Sequence, residues 1–395
     1  MPFEQIGLNY AQEYSAVLAN QYPYLSYFAD LWNGPNTGAY RPIRGTKTVL
    51  IPSMVVSGSR AVNRDQIDGV FRRNFNQDLQ PVVMSMDREW DTLVDPMDMN
   101  EVPAVTVANI TRTYVETEKV PEMDAYAASK LAGFAGEFGT VDTTSLSSSN
   151  ILETWDSYLA YMADNRIPVD RIRCKMTPAV YKMLKEAAGI TRFVDSGSGE
   201  RNVDRRVGNL DGIHIEQVPS GIMQTAFDFT EGWTPASGAK AVNMLMYDPM
   251  ATVAPIVYDT SMMSAPSAQS KGKYLYYERY YYDVFALNQR RAGILANLAG
   301  NPALGVLLVA SVAGPESGQT VVTVDTPKVF GTSFVYKLGS SAEPVTYGQA
   351  PVGWTKLVPG TPIAAGGNTT ITVAQVNDTK GGIAIASGSA TIVKA

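Results

Sequence analysis

Apolar positions recur at three- and four-residue intervals between Glu101 and Gly139, the longest helix-compatible run in the chain. Ala127, Leu131, Phe134 and Phe138 step by four, three and four, and Val107, Ile110 and Tyr114 repeat that spacing further upstream. Residues so spaced lie on one stripe of a helix. Pro121 interrupts the run. It has no amide hydrogen and crowds the preceding turn, so the pattern predicts a bend or a restart there, with Glu122 and Asp124 near a positive helix end. Gly139 is the predicted stop. By itself the pattern describes a core helix with a narrow apolar face.

The flanking segments read as elements attached to this spine. Residues 1–40 are rich in aromatics and weakly periodic, with Tyr10, Tyr14, Tyr22, Tyr24, Tyr27, Phe28 and Trp32 close together. So short a piece cannot bury them on itself, which predicts an extended arm lying on its own domain or on a neighbouring copy. The run 46–54 is a predicted strand and 80–95 a second, longer one, joined by a polar loop from Ser57 to Asp78. That loop carries Arg60, Arg64, Arg72 and Arg73 against Asp65, Asp68 and Asp78, a tip of both signs suited to docking on a charged surface. After the spine, Asn150 with Glu153 resembles a capping box, and Leu152, Trp155, Leu159 and Met162 predict an amphipathic helix ending before Pro168. RIRCKM reads as a strand, and Thr177-Pro178 opens another helix carrying Val180 and Leu184.

Residues 197–209 form a charged, glycine-containing loop with Arg201, Arg205 and Arg206, and lack the spacing of a phosphate loop. Strands are predicted at GIHIEQVPS, AVNMLMYDP and TVAPIVYD, and KYLYYERYYYDVFALNQRRAGILAN reads as a long strand pair. From Gly305 onward arginine disappears, and short alternating runs such as TVVTVDT and TTITVAQV predict a separate all-β sandwich of immunoglobulin-like type.

Length and composition narrow the function classes. The 395 residues suffice for two or three domains with a sizeable core. A formal net charge of -6 argues against a protein that coats nucleic acid, since no excess of cations is present to displace counterions. The single cysteine, Cys174, excludes an internal disulfide and reads as a buried strand thiol; the single histidine, His214, reads as a structural strand residue. The N-terminal stretch has no secretory pattern and no run approaches a membrane span, so folding in the cytoplasm is expected. The acidic string Asp87, Asp91, Asp95, Asp98 and Glu101 matches no calcium-loop template and reads as a strand-to-helix corner. Neither a cofactor nor a metal is expected. A hydrolase built on these carboxylates with an appended binding sandwich is the competing reading from another class, since glycosidases need only two carboxylates; Asp95 and Asp98 would carry it. An extracellular adhesive protein is a further reading, opposed by the missing signal.

Five phrases, in order, resemble one family. REWDTLVDPMDMNE (88–101), VPEMDAYAASKLAG (120–133), RIPVDRIRCKMTPAVYKMLKEA (166–187), LDGIHIEQVPS (210–220) and ERYYYDVFALNQRRAGI (278–294) are similar to stretches of the major capsid proteins of tailed bacteriophages, with the Hong Kong 97 fold. The resemblance spans roughly residues 40–300. It implies an α+β capsid fold: an N-terminal arm (1–40), an extended loop (41–95), the spine helix of a peripheral domain (96–149), an axial domain (150–250) and returning peripheral strands (251–304). The immunoglobulin-like domain (305–395) is then an accessory able to project from a shell. The implied function is an icosahedral shell around double-stranded DNA, without enzymatic activity, and an encapsulin-like compartment is the alternative within the same fold. Implied partners are copies of itself as pentamers and hexamers, a portal protein, a scaffolding protein and a decoration protein, with assembly in the host cytoplasm. Inter-subunit contacts are expected at Tyr22, Tyr24, Tyr27, Trp32, Arg60, Arg64, Arg72, Arg73, Arg201, Arg205 and Arg206. Lys47 sits at the base of the hairpin, so lysine-mediated cross-linking of the extended loop is not expected.

Overall fold

The computed structural model describes residues 26–36, 48–56, 75–96, 107–187, 207–326, 328, 331–378 and 382–395. In chain order a short helix α1 (Ala29–Trp32) precedes strands β1 (Thr48–Val56), β2 (Phe75–Val83) and β3 (Met86–Val94). The spine follows as α2 (Val107–Tyr114), a π turn (Val115–Lys119) and α3 (Val120–Phe138). Next come α4 (Ile151–Asp164), β4 (Arg173–Met176), α5 (Pro178–Glu186), β5 (Ile213–Gln217) and β6 (Val242–Tyr247). Strands β7 (Ile256–Ser264), β8 (Tyr274–Tyr282) and β9 (Ile294–Leu298) lead to the C-terminal part. That part contains β10 (Gly305–Val306), β11 (Val309–Ala313), β12 (Gln319–Val324), β13 (Thr332–Gly339), β14 (Thr355–Leu357), β15 (Pro362–Ala364), β16 (Thr370–Asn377) and β17 (Ile383–Thr391). The chain divides into two compact units, 1–124 with 249–290 and 125–248 with 291–395, the boundary passing through α3.

The spine run neither ends nor restarts as a separate helix at Pro121. It changes register one turn earlier, where the Val120 amide donates to the Val115 carbonyl, five residues back. In α register the ring of Pro121 would crowd the carbonyl four residues before it, and the widened turn precedes that position. Nor is the apolar face narrow. Between Glu122 and Ala128 every residue is buried, so this stretch is enclosed by protein on all sides. Gly139 is the stop. Its φ of 69° is left-handed, and the Thr140 amide reaches the Ala135 carbonyl at 2.9 Å while the Gly139 amide reaches Gly136 at 3.2 Å, the Schellman pattern.

In the first unit β1 and β2 form the expected antiparallel hairpin, Thr48 facing Val83 and Val56 facing Phe75. Asp78, assigned to the loop by the sequence pattern, belongs to β2 opposite Ser53. The predicted single strand 80–95 is two. The break falls at Met84 and Ser85, where the Ser85 amide and hydroxyl both donate to Asp283 Oδ2, at 2.8 and 2.9 Å. Beyond it the chain joins a different sheet, of order β7-β8-β3.

The second unit holds a six-stranded sheet in the order Val141–Asp142, β9, β6, β4, β5, Asn209–Leu210. Helices α4 and α5 bury Trp155, Tyr158, Met162, Val180, Tyr181 and Leu184 in one cluster with Cys174, Met176, Ile213, Ile215, Met244 and Met246. The tyrosine-rich segment is therefore not a strand pair: β8 lies in the first unit's sheet and β9 in this one. Asn150 does stand at the start of α4, but its side chain turns backward. Its Oδ1 accepts from the Ser147 amide at 2.8 Å and its Nδ2 donates to the Ser145 carbonyl, so it closes the preceding loop rather than a capping box.

Asp142 closes the edge of this sheet. Burial pushes its carboxyl up, but bonds from the Thr144 hydroxyl and amide, Tyr158 and Asn297 outweigh that and hold it below the ordinary carboxylate range. A depressed folded-state pKa contributes stability that is complete above the unfolded value, about 3.9, and is lost as pH falls through the lowered one. Asp142→Asn should therefore cost about 1 kcal/mol at pH 7, and urea unfolding should show the gap to wild type closing below about pH 4. A gap independent of pH would mean that the charge is not what the bonds stabilise.

Beyond residue 304 two sheets face each other, β10-β17-β16-β13-β14 and β11-β12-β15. Val322 and Ile363 from the smaller sheet and Phe334, Ile371 and Val373 from the larger share one core with Leu307.

Candidate functional site

Alternate residues of a strand face opposite sides of its sheet, and β8 uses both. Tyr276, Glu278, Tyr280 and Tyr282 point inward and are buried, while Arg279 is exposed on the other face. On the inner side the Lys119 ammonium pairs with the Glu278 carboxylate, with side-chain exposures of 0% and 1%. Lys119 Nζ lies 3.8 Å from the centre of the Tyr280 ring, and the Tyr276 hydroxyl donates to Glu278 Oε2 at 3.1 Å. Burial pushes the Lys119 pKa down against the pull of Glu278.

Further along the helix, Glu122 receives Arg88 Nη2 at 2.8 Å and the Tyr282 hydroxyl at 2.9 Å. Burial also pushes the Tyr114 hydroxyl up to about 12; its ring stacks on Trp90 at 4.1 Å. Two acids and two bases thus balance where the spine meets the sheet. Such a network adds little net stability over an apolar contact, but it admits one register between helix and sheet.

The described part of the N-terminal arm uses its own chain. Asp124 Oδ1 accepts from the Ser26 hydroxyl at 2.5 Å and Oδ2 from the Tyr27 amide at 2.7 Å. Phe28 and Leu31 follow into the core, and Asn36 Nδ2 donates to the Met250 carbonyl at 2.8 Å. Trp32 was expected against a neighbouring copy. It is instead 4% exposed in its own chain, edge-on to Tyr282 at 5.7 Å, which leaves little of the ring for a partner. Tyr27 is half-buried. Tyr22, Tyr24, Arg60, Arg64, Arg72, Arg73, Arg201, Arg205 and Arg206 lie outside the described residues, as do Asp98, Glu101 and Lys47.

The acidic string is only partly a corner. Asp87 and Asp91 stand on the outer face of β3, and Asp87 takes a two-bond fork from Arg279, at 3.0 and 2.7 Å. The Tyr277 hydroxyl donates to Glu89 Oε2 at 3.3 Å, and Asp95 is 3.9 Å from the Lys273 ammonium. Leu93 (54% exposed) and Met262 (60%) share this outer face. The alternation of Asp87, Glu89, Asp91 and Leu93 was the sequence signal for it. Cys174 is fully buried and burial pushes its thiol up, as expected of an inert strand thiol; His214 is exposed on β5. Among the described residues no three His, Cys, Asp or Glu side chains are grouped to hold a metal ion, and no helix is long and apolar enough to cross a membrane.

No family model matches the chain, and no curated protein does. Solved structures do. The mature capsid of bacteriophage PhiM1 superimposes with a TM-score of 0.51 at 14% identity, over 66% of this chain and 84% of that one. The capsid of cyanophage P-SCSP1u gives 0.50 at 12% identity, over 66% and 86%. The chain has the capsid fold of the Hong Kong 97 type. The α2-to-α3 run falls in the residues expected to form a spine, and the β1–β2 hairpin in those expected to form an extended loop. A virus-like particle from Pyrococcus furiosus aligns with a TM-score of 0.38 at 11% identity.

Proposed function

We propose that this protein is the major capsid protein of a tailed bacteriophage, a structural subunit that assembles with copies of itself into the shell around the genome. The observation that carries the reading is a fold shared with two phage capsids over 84% and 86% of their chains. The physical arrangement supports it. A spine locked to a sheet by a buried ionic network makes a rigid strut, and the outer face of β3 and β8 offers charged and apolar groups to a neighbour. Modest contacts of that kind, repeated over a closed shell, give collective stability.

In this reading the protein forms pentamers and hexamers in the host cytoplasm around a scaffold and a portal, and encloses DNA without reading its sequence. The aromatic arm residues Tyr22 and Tyr24 and the arginines of the hairpin tip and of the 197–209 loop make the contacts between copies. No catalytic step is assigned. Expression alone or with neighbouring gene products should give hollow particles of uniform size in electron micrographs. A species that stays monomeric or dimeric under all assembly conditions would sink the proposal. Particles filled with an enzyme cargo instead of a genome would redirect it to a cellular compartment.

A further inference from the structure

The last four carbonyls of a helix have no partner within it, and a buried end needs donors from elsewhere. At the end of α3, residues Phe138, Gly139 and Thr140 are all buried. The Schellman turn serves Ala135 and Gly136, and the remaining help comes from the C-terminal sandwich. Asn377 Nδ2, at the end of β16, donates to the Phe138 carbonyl at 2.5 Å, and the Tyr347 hydroxyl donates to the Gly136 carbonyl at 2.8 Å. The fit is close, because a Cβ added to Gly139 would stand 2.8 Å from that same Asn377 nitrogen. A third contact lies nearby. The Arg291 guanidinium lies against Gly331, whose left-handed φ of 71° favours glycine just before β13.

We propose that the sandwich is a clamp on the spine helix: it supplies donors to the helix's final carbonyls and is thereby fixed on its own subunit, rather than hanging from it as a tethered accessory. A cavity of about 540 Å³ opens between Gly133 and Gly136 of the helix and Tyr347, Gln375 and Ala386 of the sandwich. The Asn377 and Tyr347 side chains reach the helix end beside that cavity, so changing either one probes the joint. The geometry also sets which end of the sandwich is free. Since β16 runs eight residues toward the helix, its Thr370 end and the turn before it stand about 24 Å away from the clamp.

Hydrogen exchange on the full-length protein tests this, with Asn377→Asp, which replaces the donor by an acceptor of the same shape, and Tyr347→Phe, which removes one hydroxyl. Peptides covering 132–140 should exchange at least about tenfold faster in either variant, while peptides of β16 keep their protection. Unchanged exchange at 132–140 with the sandwich intact overturns the clamp. If Asn377→Asp also strips protection from β16, the variant has unfolded the sandwich and Tyr347→Phe decides alone: no change at 132–140 in that variant overturns the proposal.

Discussion

Lys119→Met should lower the unfolding free energy of the subunit by about 3–5 kcal/mol, because it leaves the Glu278 carboxylate buried without its cation. Both partners are sealed from solvent, at 0% and 1% side-chain exposure, so water cannot replace the ammonium. The Tyr276 hydroxyl remains as a donor, which is far weaker compensation than a full charge. The double variant Lys119→Met with Glu278→Met should recover most of the loss, since apolar groups of similar volume in place of a buried pair are often neutral or better. Denaturant unfolding of the four proteins, closed as a cycle, measures this directly. A single variant that loses less than about 1 kcal/mol would show that the pair is solvated, and with it that the spine is not locked to the sheet. The shell reading adds a second outcome. The double variant, though stable, keeps Arg88 on Glu122 but lacks the other half of the network that fixes one register between helix and sheet, so its particles should be less uniform than those of wild type.

Local chemistry was legible wherever it decided the structure. Gly139 reads as a helix stop because only a left-handed residue completes the Schellman turn, and it has φ 69°. Thr177-Pro178 likewise opens α5 with Pro178 in its first turn. Strand β1 followed from its Val, Leu and Ile content, but the first half of β2, Phe75–Asp78, was read as loop because it lacks such residues. What escaped was set by residues far away in the chain. The break at Ser85 depends on Asp283, and nothing in VVMSMDRE announces that partner. Trp32 looked like an orphan aromatic because its cover, Tyr282, is supplied 250 residues later. Pro121 was read as the place of a bend or restart, whereas the change of register comes one turn earlier and could not be read from spacing. A π turn keeps the run helical and delivers Lys119 to Glu278. The capping-box reading of Asn150 failed for a local reason, since asparagine can equally well close the loop before it.

Gly388→Ala should destabilise the C-terminal sandwich by about 3 kcal/mol or more, the upper range for overpacking a core. A Cβ at 388 would stand 2.2 Å from the Leu307 carbonyl oxygen and 2.9 Å from Val309 Cγ2. The obstacle is backbone, not the end of a flexible side chain. The segment from β10 to β11 crosses from one sheet to the other over this glycine, held by the Leu307 amide on the Ser387 carbonyl at 2.9 Å and by the burial of the Leu307 side chain. Relief requires lifting that crossing, which breaks the bond and opens the shared core. Exchange of β16 amides should therefore rise in the variant. Because the same sandwich supplies Asn377 and Tyr347 to the spine, protection at 135–140 should fall with it, while β8 in the first unit keeps its own. Loss confined to the sandwich would mean that the helix end holds without the clamp, and a variant as stable as wild type would mean that the strand crossing over Gly388 is misplaced.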